Sequence, residues 1–236
     1  MYIFGKNVAK EALNTNQKIT RAYISKTFQE QALIQMLRDE KIKTVFVDKA
    51  VLDRKVEGNH QGIILEIDEV ETIGLEEFLD KIKEKKYPTV VMLDHLEDPH
   101  NFGAIIRTSE ALGIDGIIIP NDRSVGVNGT VVKTSAGAIS YIPIVRVANL
   151  NYAIEKLKKY GFWIFGTDMN GEDYTKLDYN MPVCLIIGNE GHGMSRIIRE
   201  NCDFIASIPM AGKINSLNAS VSCGILLSEI VAKRNV

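Results

Sequence analysis

The chain is short of cysteine, with Cys184, Cys202 and Cys223 among 236 residues and no C-x-x-C pair. An odd, unpaired set argues against a disulfide framework or a cysteine zinc site, and fits reduced thiols that fill small apolar spaces. No metal is expected. Long hydrophobic runs are missing too: none approaches the roughly 18 residues of a membrane span. The opening MYIFGKNVAKEAL has no unbroken apolar stretch of the signal-peptide kind. A cytoplasmic protein without membrane contact is the expectation. Positive charge is not in excess, since 28 Lys+Arg face 30 Asp+Glu for a net charge of −2. Nonspecific polyanion binding is therefore disfavoured, and any polyanion must meet local patches. The glycine fingerprint of a Rossmann fold is absent as well. After the apolar run ending at Asp94 comes His-Leu-Glu-Asp-Pro-His-Asn, with no acidic residue at the customary distance beyond.

What is present is enough apolar residue, 45% of the chain, to bury more core than one small domain needs. Charge marks the division. Residues 1–27 carry Lys6, Lys10, Lys18, Arg21 and Lys26 against Glu11 alone. Residues 66–81 carry Glu66, Asp68, Glu69, Glu71, Glu76, Glu77 and Asp80 against Lys81. A small domain over 1–67, an acidic linker with a short surface helix over 68–86, and a larger domain over 87–236 are expected. In the first domain, periodicity predicts helices from Gly5 to Leu13 and Phe28 to Asp39. It predicts strands at Arg21 to Ile24, Thr44 to Asp48 and Gly62 to Ile67. His60 is expected to be a turn residue bonded to backbone, with direct RNA contact as the alternative.

From Thr89 onward strands alternate with helices. Strands are expected at 89–94, 116–120, 143–147, 162–167, 183–188 and 204–209, with helices at 102–112, 131–138, 150–160, 195–200 and 217–233. That alternation predicts an α/β fold, a mainly parallel sheet covered on both faces, with ligands beyond the carboxyl ends of its strands. Three polar loops follow such strands: LDHLEDPHNFGAIIR (93–107), IGNEGHGMS (187–195) and IPMAGKINSLNAS (208–220). Glycines at 188, 191 and 193 allow backbone to approach a ligand closely.

The six-residue step from Asn101 to Arg107, the Asn189-Glu190-Gly191 triplet and Ser216-Leu217-Asn218 resemble, in order and spacing, the three motifs of the SpoU (TrmH-type) branch of the SPOUT methyltransferases. Gly5-Lys6-Asn7 and His60-Gln61-Gly62 resemble, more briefly, the small RNA-binding domain that precedes the catalytic domain in rRNA-modifying members. The resemblance implies a C-terminal trefoil-knotted SPOUT domain that transfers methyl from S-adenosylmethionine to a ribose 2′-hydroxyl of RNA. It implies cofactor contacts at Gly188, Ile208 and Leu217, with Met210, Gly191 and Gly193 lining the same loops. Catalytic roles fall to Asn101, Arg107, Glu190, Ser216 and Asn218.

A 2′-hydroxyl is a poor nucleophile, so it must be aligned, relieved of a proton and stabilised as charge develops. A guanidinium is too weak an acid to act as the base, so Arg107 is read as gripping the target phosphate. Glu190 would orient Asn101 or Arg107. Asn101 could instead be the N-cap of its helix, and Arg107 could simply pair with Glu110. Ser216 and Asn218 can cap the last helix and still present polar groups to ribose. RNA contacts are expected at Lys6, Lys10, Arg21, Arg123 and Lys133, the last two bracketing a Ser/Thr/Gly-rich segment. The last helix carries more apolar surface than one core stripe requires, and family members form homodimers there. The front domain and Ser135-Ala136-Gly137 favour large-subunit ribosomal RNA, with a guanosine in the peptidyl-transferase region of 23S rRNA as the target. A tRNA guanosine, a resistance-type rRNA adenosine, and a role as an inactive ribosome assembly factor are the alternatives.

Overall fold

The computed structural model describes residues 1–14, 18–214 and 216–234. Four strands form the first sheet: β1 (Tyr2–Phe4), β2 (Ile19–Ser25), β3 (Thr44–Val47) and β4 (Ile63–Ile67), in the order β1-β4-β2-β3. β4 runs antiparallel to β1 and β2, and β3 parallel to β2. Helices α1 (Lys6–Asn14), α2 (Gln31–Asp39) and α3 (Lys49–Asp53) connect them. β1 and α3 were not expected, because three and five residues are too few to show a period. His60 is buried in the turn before β4. Its Nδ1 accepts from the Gly62 amide at 2.9 Å, so Nε2 carries the proton toward Asp53 Oδ1, also 2.9 Å away.

The acidic stretch does more than link. Ile73 forms a parallel bridge to Val145, extending the edge of the second sheet, and α4 (Leu75–Ile82) buries Leu75, Phe78, Leu79 and Ile82. Those four positions make one apolar stripe, with the acids on the opposite face. Net charge suggested a surface helix; the stripe decided otherwise. Phe78 is fully buried against Gly116, where an added Cβ would lie 2.6 Å from its ring. Phe78→Ala is expected to lower stability by about 3–5 kcal/mol, measured by urea unfolding. A loss below about 1 kcal/mol would restore the surface helix.

The second sheet has six parallel strands in the order β10-β8-β9-β5-β6-β7. They are β5 (Thr89–Leu93), β6 (Gly116–Pro120), β7 (Ile144–Val147), β8 (Trp163–Asp173), β9 (Val183–Ile187) and β10 (Phe204–Ser207). Every residue of β5, β6 and β9 is buried, as a parallel sheet covered on both faces requires. Helices α5 (Pro99–Ala111), α6 (Gly129–Thr134) and α9 (Ala219–Arg234) pack on one face, and α4, α7 (Leu150–Lys159) and α8 (Arg196–Glu200) on the other. The first face shares a continuous apolar core with the small domain, running from Ile3 and Ala9 through Val131 to Leu226.

β8 outruns the expected strand because it leaves β9 after Phe165 and continues beside β10 across a bulge. The end of α9 is tied down by Arg234, whose guanidinium donates to the carbonyl oxygens of Tyr87, Tyr179 and Met181 at 2.9, 2.8 and 2.6 Å. Cys184 and Cys223 are buried, and burial pushes the Cys223 thiol up to about 12. No described helix is long and apolar enough to cross a membrane.

Candidate active site

The second half of β8 and the loops following β9 and β10 close around a cleft of about 730 Å³ at the carboxyl end of the second sheet. Gly188, Gly191, Gly193, Ile208, Met210 and Leu217 all line it, with Glu190, Ser216 and Asn218. Local chemistry shapes the 188–193 loop. Asn189 and Gly193 exchange two backbone hydrogen bonds of 3.0 and 2.9 Å, and Gly193 turns the chain at φ 68°. Asn189 Oδ1 accepts from the Gly191 amide at 2.8 Å, while its Nδ2 donates to the His95 carbonyl at 2.9 Å. The buried Asp94 carboxylate accepts from the Ser195 amide at 2.7 Å. A side chain at Gly188 would overlap backbone atoms of Gly193 and Met194. The loop is held rigid at both ends, and its wall is main chain.

Three side chains from three distant segments meet at the cleft's edge. Asn218 Nδ2 donates to Asn101 Oδ1 at 2.8 Å, and Asn101 Nδ2 donates to Glu190 Oε1 at 3.0 Å. Both amide orientations follow, since each nitrogen then faces an acceptor. Asn218 also caps α9, its Oδ1 accepting from the Ser220 amide at 2.9 Å. The cap and the bond to Asn101 coexist in one side chain. Asn101 does not cap α5. Asp98 does so, accepting from the His100 amide at 2.9 Å, with Pro99 in the first turn. Asn101 sits a turn inside, buried, committed to its two polar partners.

Arg107 departs from expectation. It is exposed on α5 and does not line the cleft, and no ion pair to Glu110 forms among the described residues. Six residues along an α-helix amount to about 240° of rotation, so Asn101 and Arg107 face different directions. Between α5 and α9 lies a shallow groove lined by Ala104, Thr108, Tyr174, Val221, Gly224 and Ile225. Val221 is 49% exposed there.

The expected RNA cations do not gather at the cleft. Lys6 pairs with Glu30 at 2.8 Å and Lys10 lies 3.9 Å from the same carboxylate, which Lys6 holds below its usual pKa. Glu30 falls just outside the window that made residues 1–27 look unopposed. Arg21 donates to the Tyr23 hydroxyl at 3.1 Å, and Lys133 stands 5.4 Å over the Phe4 ring. Arg123 is exposed with φ 53°, and the segment between it and Lys133 includes the first turn of α6, which starts two residues before the expected helix.

The sequence reading missed residues 167–170, which form one wall of the cleft. Thr167 Oγ1 donates to the Ile186 carbonyl at 3.0 Å, and Asp168 pairs with Arg199. Their signal was a polar, glycine-containing run directly after apolar residues, here without a matching motif and continuing β8 instead of leaving it as a loop.

Family models and relatives show that the chain with this parallel sheet, cleft and Asn-Asn-Glu bond chain belongs to the SpoU family of RNA methyltransferases. The SpoU rRNA Methylase family model matches residues 88–228, and the model for RNA 2′-O ribose methyltransferase substrate binding matches residues 2–73. YacO of Bacillus subtilis (strain 168), placed in the TrmH family of tRNA/rRNA methyltransferases, is 42% identical over 99% of this chain and 96% of its own length. A Staphylococcus aureus (strain MSSA476) protein of the same family is also 42% identical over the same shares. Among solved structures, the SpoU methyltransferase AviRb from Streptomyces viridochromogenes in complex with AdoMet superposes with a TM-score of 0.85. It is 26% identical and covers 100% of this chain and 90% of its own. The A. aeolicus TrmH/SpoU tRNA modifying enzyme covers 68% of this chain and 84% of its own, at 31% identity and a TM-score of 0.57.

Proposed function

We propose that the protein is a homodimeric, S-adenosylmethionine-dependent 2′-O-ribose methyltransferase of RNA, acting in the cytoplasm on a guanosine in the peptidyl-transferase region of 23S rRNA. The Asn218-Asn101-Glu190 chain at the lip of the cleft is the observation that carries it. The cleft's volume suits a nucleoside cofactor. Its donors suit one too: glycine backbone at 188–193 for polar edges, and Ile208, Leu226 and Ala206 as apolar floor. Bound there, S-adenosylmethionine supplies an electrophilic methyl on a sulfonium. AdoMet is also the ligand named for AviRb.

The protein's own work is alignment. Asn101, fixed by a carboxylate on one side and the Asn218 amide on the other, cannot rotate to follow solvent. Glu190 and Asn218 are thereby held as a preformed polar edge for the ribose, with the Ser216 hydroxyl beside them. The ribose held at this edge would take the methyl group that the bound cofactor would supply, and its hydroxyl proton would leave to phosphate or water.

Arg107 is assigned the target phosphate, and its position on α5 implies that it serves the cleft of a second subunit. The small-residue groove between α5 and α9, with Val221 exposed, is the contact surface this needs. The family's trefoil threading belongs to the same proposal, supported by the way residues 188–193, Ile208, Met210 and residues 216–218 line one cleft. Ribosomal RNA is favoured over tRNA because the substrate-binding model matches the front domain, whereas the tRNA-modifying structure leaves about a third of the chain unmatched. Mapping 2′-O-methyl positions in total RNA with and without the gene tests this. Loss of one 23S mark is expected; loss of a tRNA mark selects the alternative, and no change would mean an inactive binder.

A further inference from the structure

Helix α6 is wedged between the two domains, touching backbone on both sides. Its first residue, Gly129, lies so close to β1 that a Cβ would overlap the Tyr2 carbonyl oxygen. One turn on, Lys133 stands over Phe4, the last residue of β1. At the other end Thr134 presses on α5 at Gly103, where a Cβ would come within 2.7 Å of Thr134 Cβ and 3.0 Å of the Ser135 nitrogen. Thr134 Oγ1 lies 2.8 Å from the Thr130 carbonyl and 3.3 Å from that of Pro99, which opens α5 two residues before Asn101. Both junctions are glycine contacts: at Gly129 backbone meets backbone, and at Gly103 the backbone meets Thr134, whose hydroxyl is tied to neighbouring carbonyl oxygens. α6 itself is anchored at its start by Asn128, whose Oδ1 accepts from the Val131 amide at 3.0 Å.

We propose that α6 is a rigid spacer that sets the distance from the RNA-holding front domain to Asn101, and that Gly129 is the positioning residue that fixes its length. This rests on the function proposed above. The front domain then contributes to turnover by placing the bound RNA in register with the bond chain. A side chain at Gly129 must push β1 away, and the whole sheet of the small domain moves with it, since β1 is hydrogen-bonded to β4. A displacement of about 1 Å at the reacting atoms costs on the order of 100-fold in rate. Affinity for RNA and for the methyl donor should hardly change, because neither the front domain's surface nor the cleft is altered.

The test uses the full chain with Gly129→Ala and Gly129→Val, total RNA from cells lacking the gene, and S-adenosylmethionine labelled in its methyl group. Turnover is expected to fall in the order wild type, Ala, Val, reaching about 10- to 100-fold for Val. RNA affinity by filter binding and cofactor affinity by calorimetry should stay near wild type. Phe4→Ala removes the Lys133 contact without pushing the domains apart, and should cost less turnover than Gly129→Ala. Unchanged turnover in Gly129→Val overturns the spacer, and so does a parallel fall of turnover, both affinities and thermal midpoint in both Gly129 variants. If the unaltered protein methylates no RNA at all, the functional proposal fails first, and that result is separate from any effect at Gly129.

Discussion

Subunits carrying Arg107→Ala are expected to bind S-adenosylmethionine as the unaltered chain does, yet transfer methyl about 100- to 1,000-fold more slowly. Mixing them with Asn218→Ala subunits should restore activity. Asn218→Ala breaks the bond to Asn101 and uncaps α9, so that subunit's own cleft is disabled while its Arg107 is intact. In a two-fold dimer each mixed pair then contains one complete site, and random pairing predicts about a quarter of wild-type activity. Arg107 lies outside the cleft of its own chain, on a helix whose exposed flank borders the α5/α9 groove. Absence of recovery would place Arg107 within its own subunit. A parallel loss of cofactor affinity, read by calorimetry, would instead make it a cofactor-binding residue.

The second large effect is expected at Gly188. Alanine there places a methyl group onto backbone atoms of Gly193 and Met194, with the Gly193 carbonyl oxygen 2.9 Å away. Backbone cannot swing aside as a flexible side chain can, so the 188–193 loop must open. Cofactor affinity should fall by about 100-fold or more, roughly 2.7 kcal/mol. Gly191→Ala is the control, because its added carbon would meet only Asn189 Oδ1 at 3.4 Å, an ordinary contact. Calorimetric titration of the two variants separates them. Equal affinity in both would mean that the loop backbone does not hold the ligand.

Much of this protein was legible along the chain. Strands β5, β6 and β9 are continuous apolar runs that no surface element could carry, and their alternation with helices required a parallel sheet. The resemblance to the SpoU motifs picked out nine residues that line the cleft and an Asn101 that bonds to two of them. The errors have identifiable physical causes. Asn101 was given a possible cap role because the helix was started three residues late; Asp98-Pro99 is the stronger start signal. The basic front patch ignored Glu30, which follows it closely in sequence and neutralises Lys6 and Lys10 in space. The acidic stretch was judged by its charge rather than by the stripe of Leu75, Phe78, Leu79 and Ile82 that buries it.

Sequence alone determined the class of fold, the order of its strands along the chain and the residues that form the cleft loops, because hydrophobic period and loop composition act over a few neighbouring residues. Only the tertiary structure decided that Asn218 reaches Asn101 across 117 positions, that Arg107 turns away from them, and that Gly129 seats one domain against the other. Those outcomes depend on the angle of each side chain around its helix and on which backbones pack without a Cβ between them. Such relations are set when distant segments close on one core, and a linear pattern of residue types does not encode them directly.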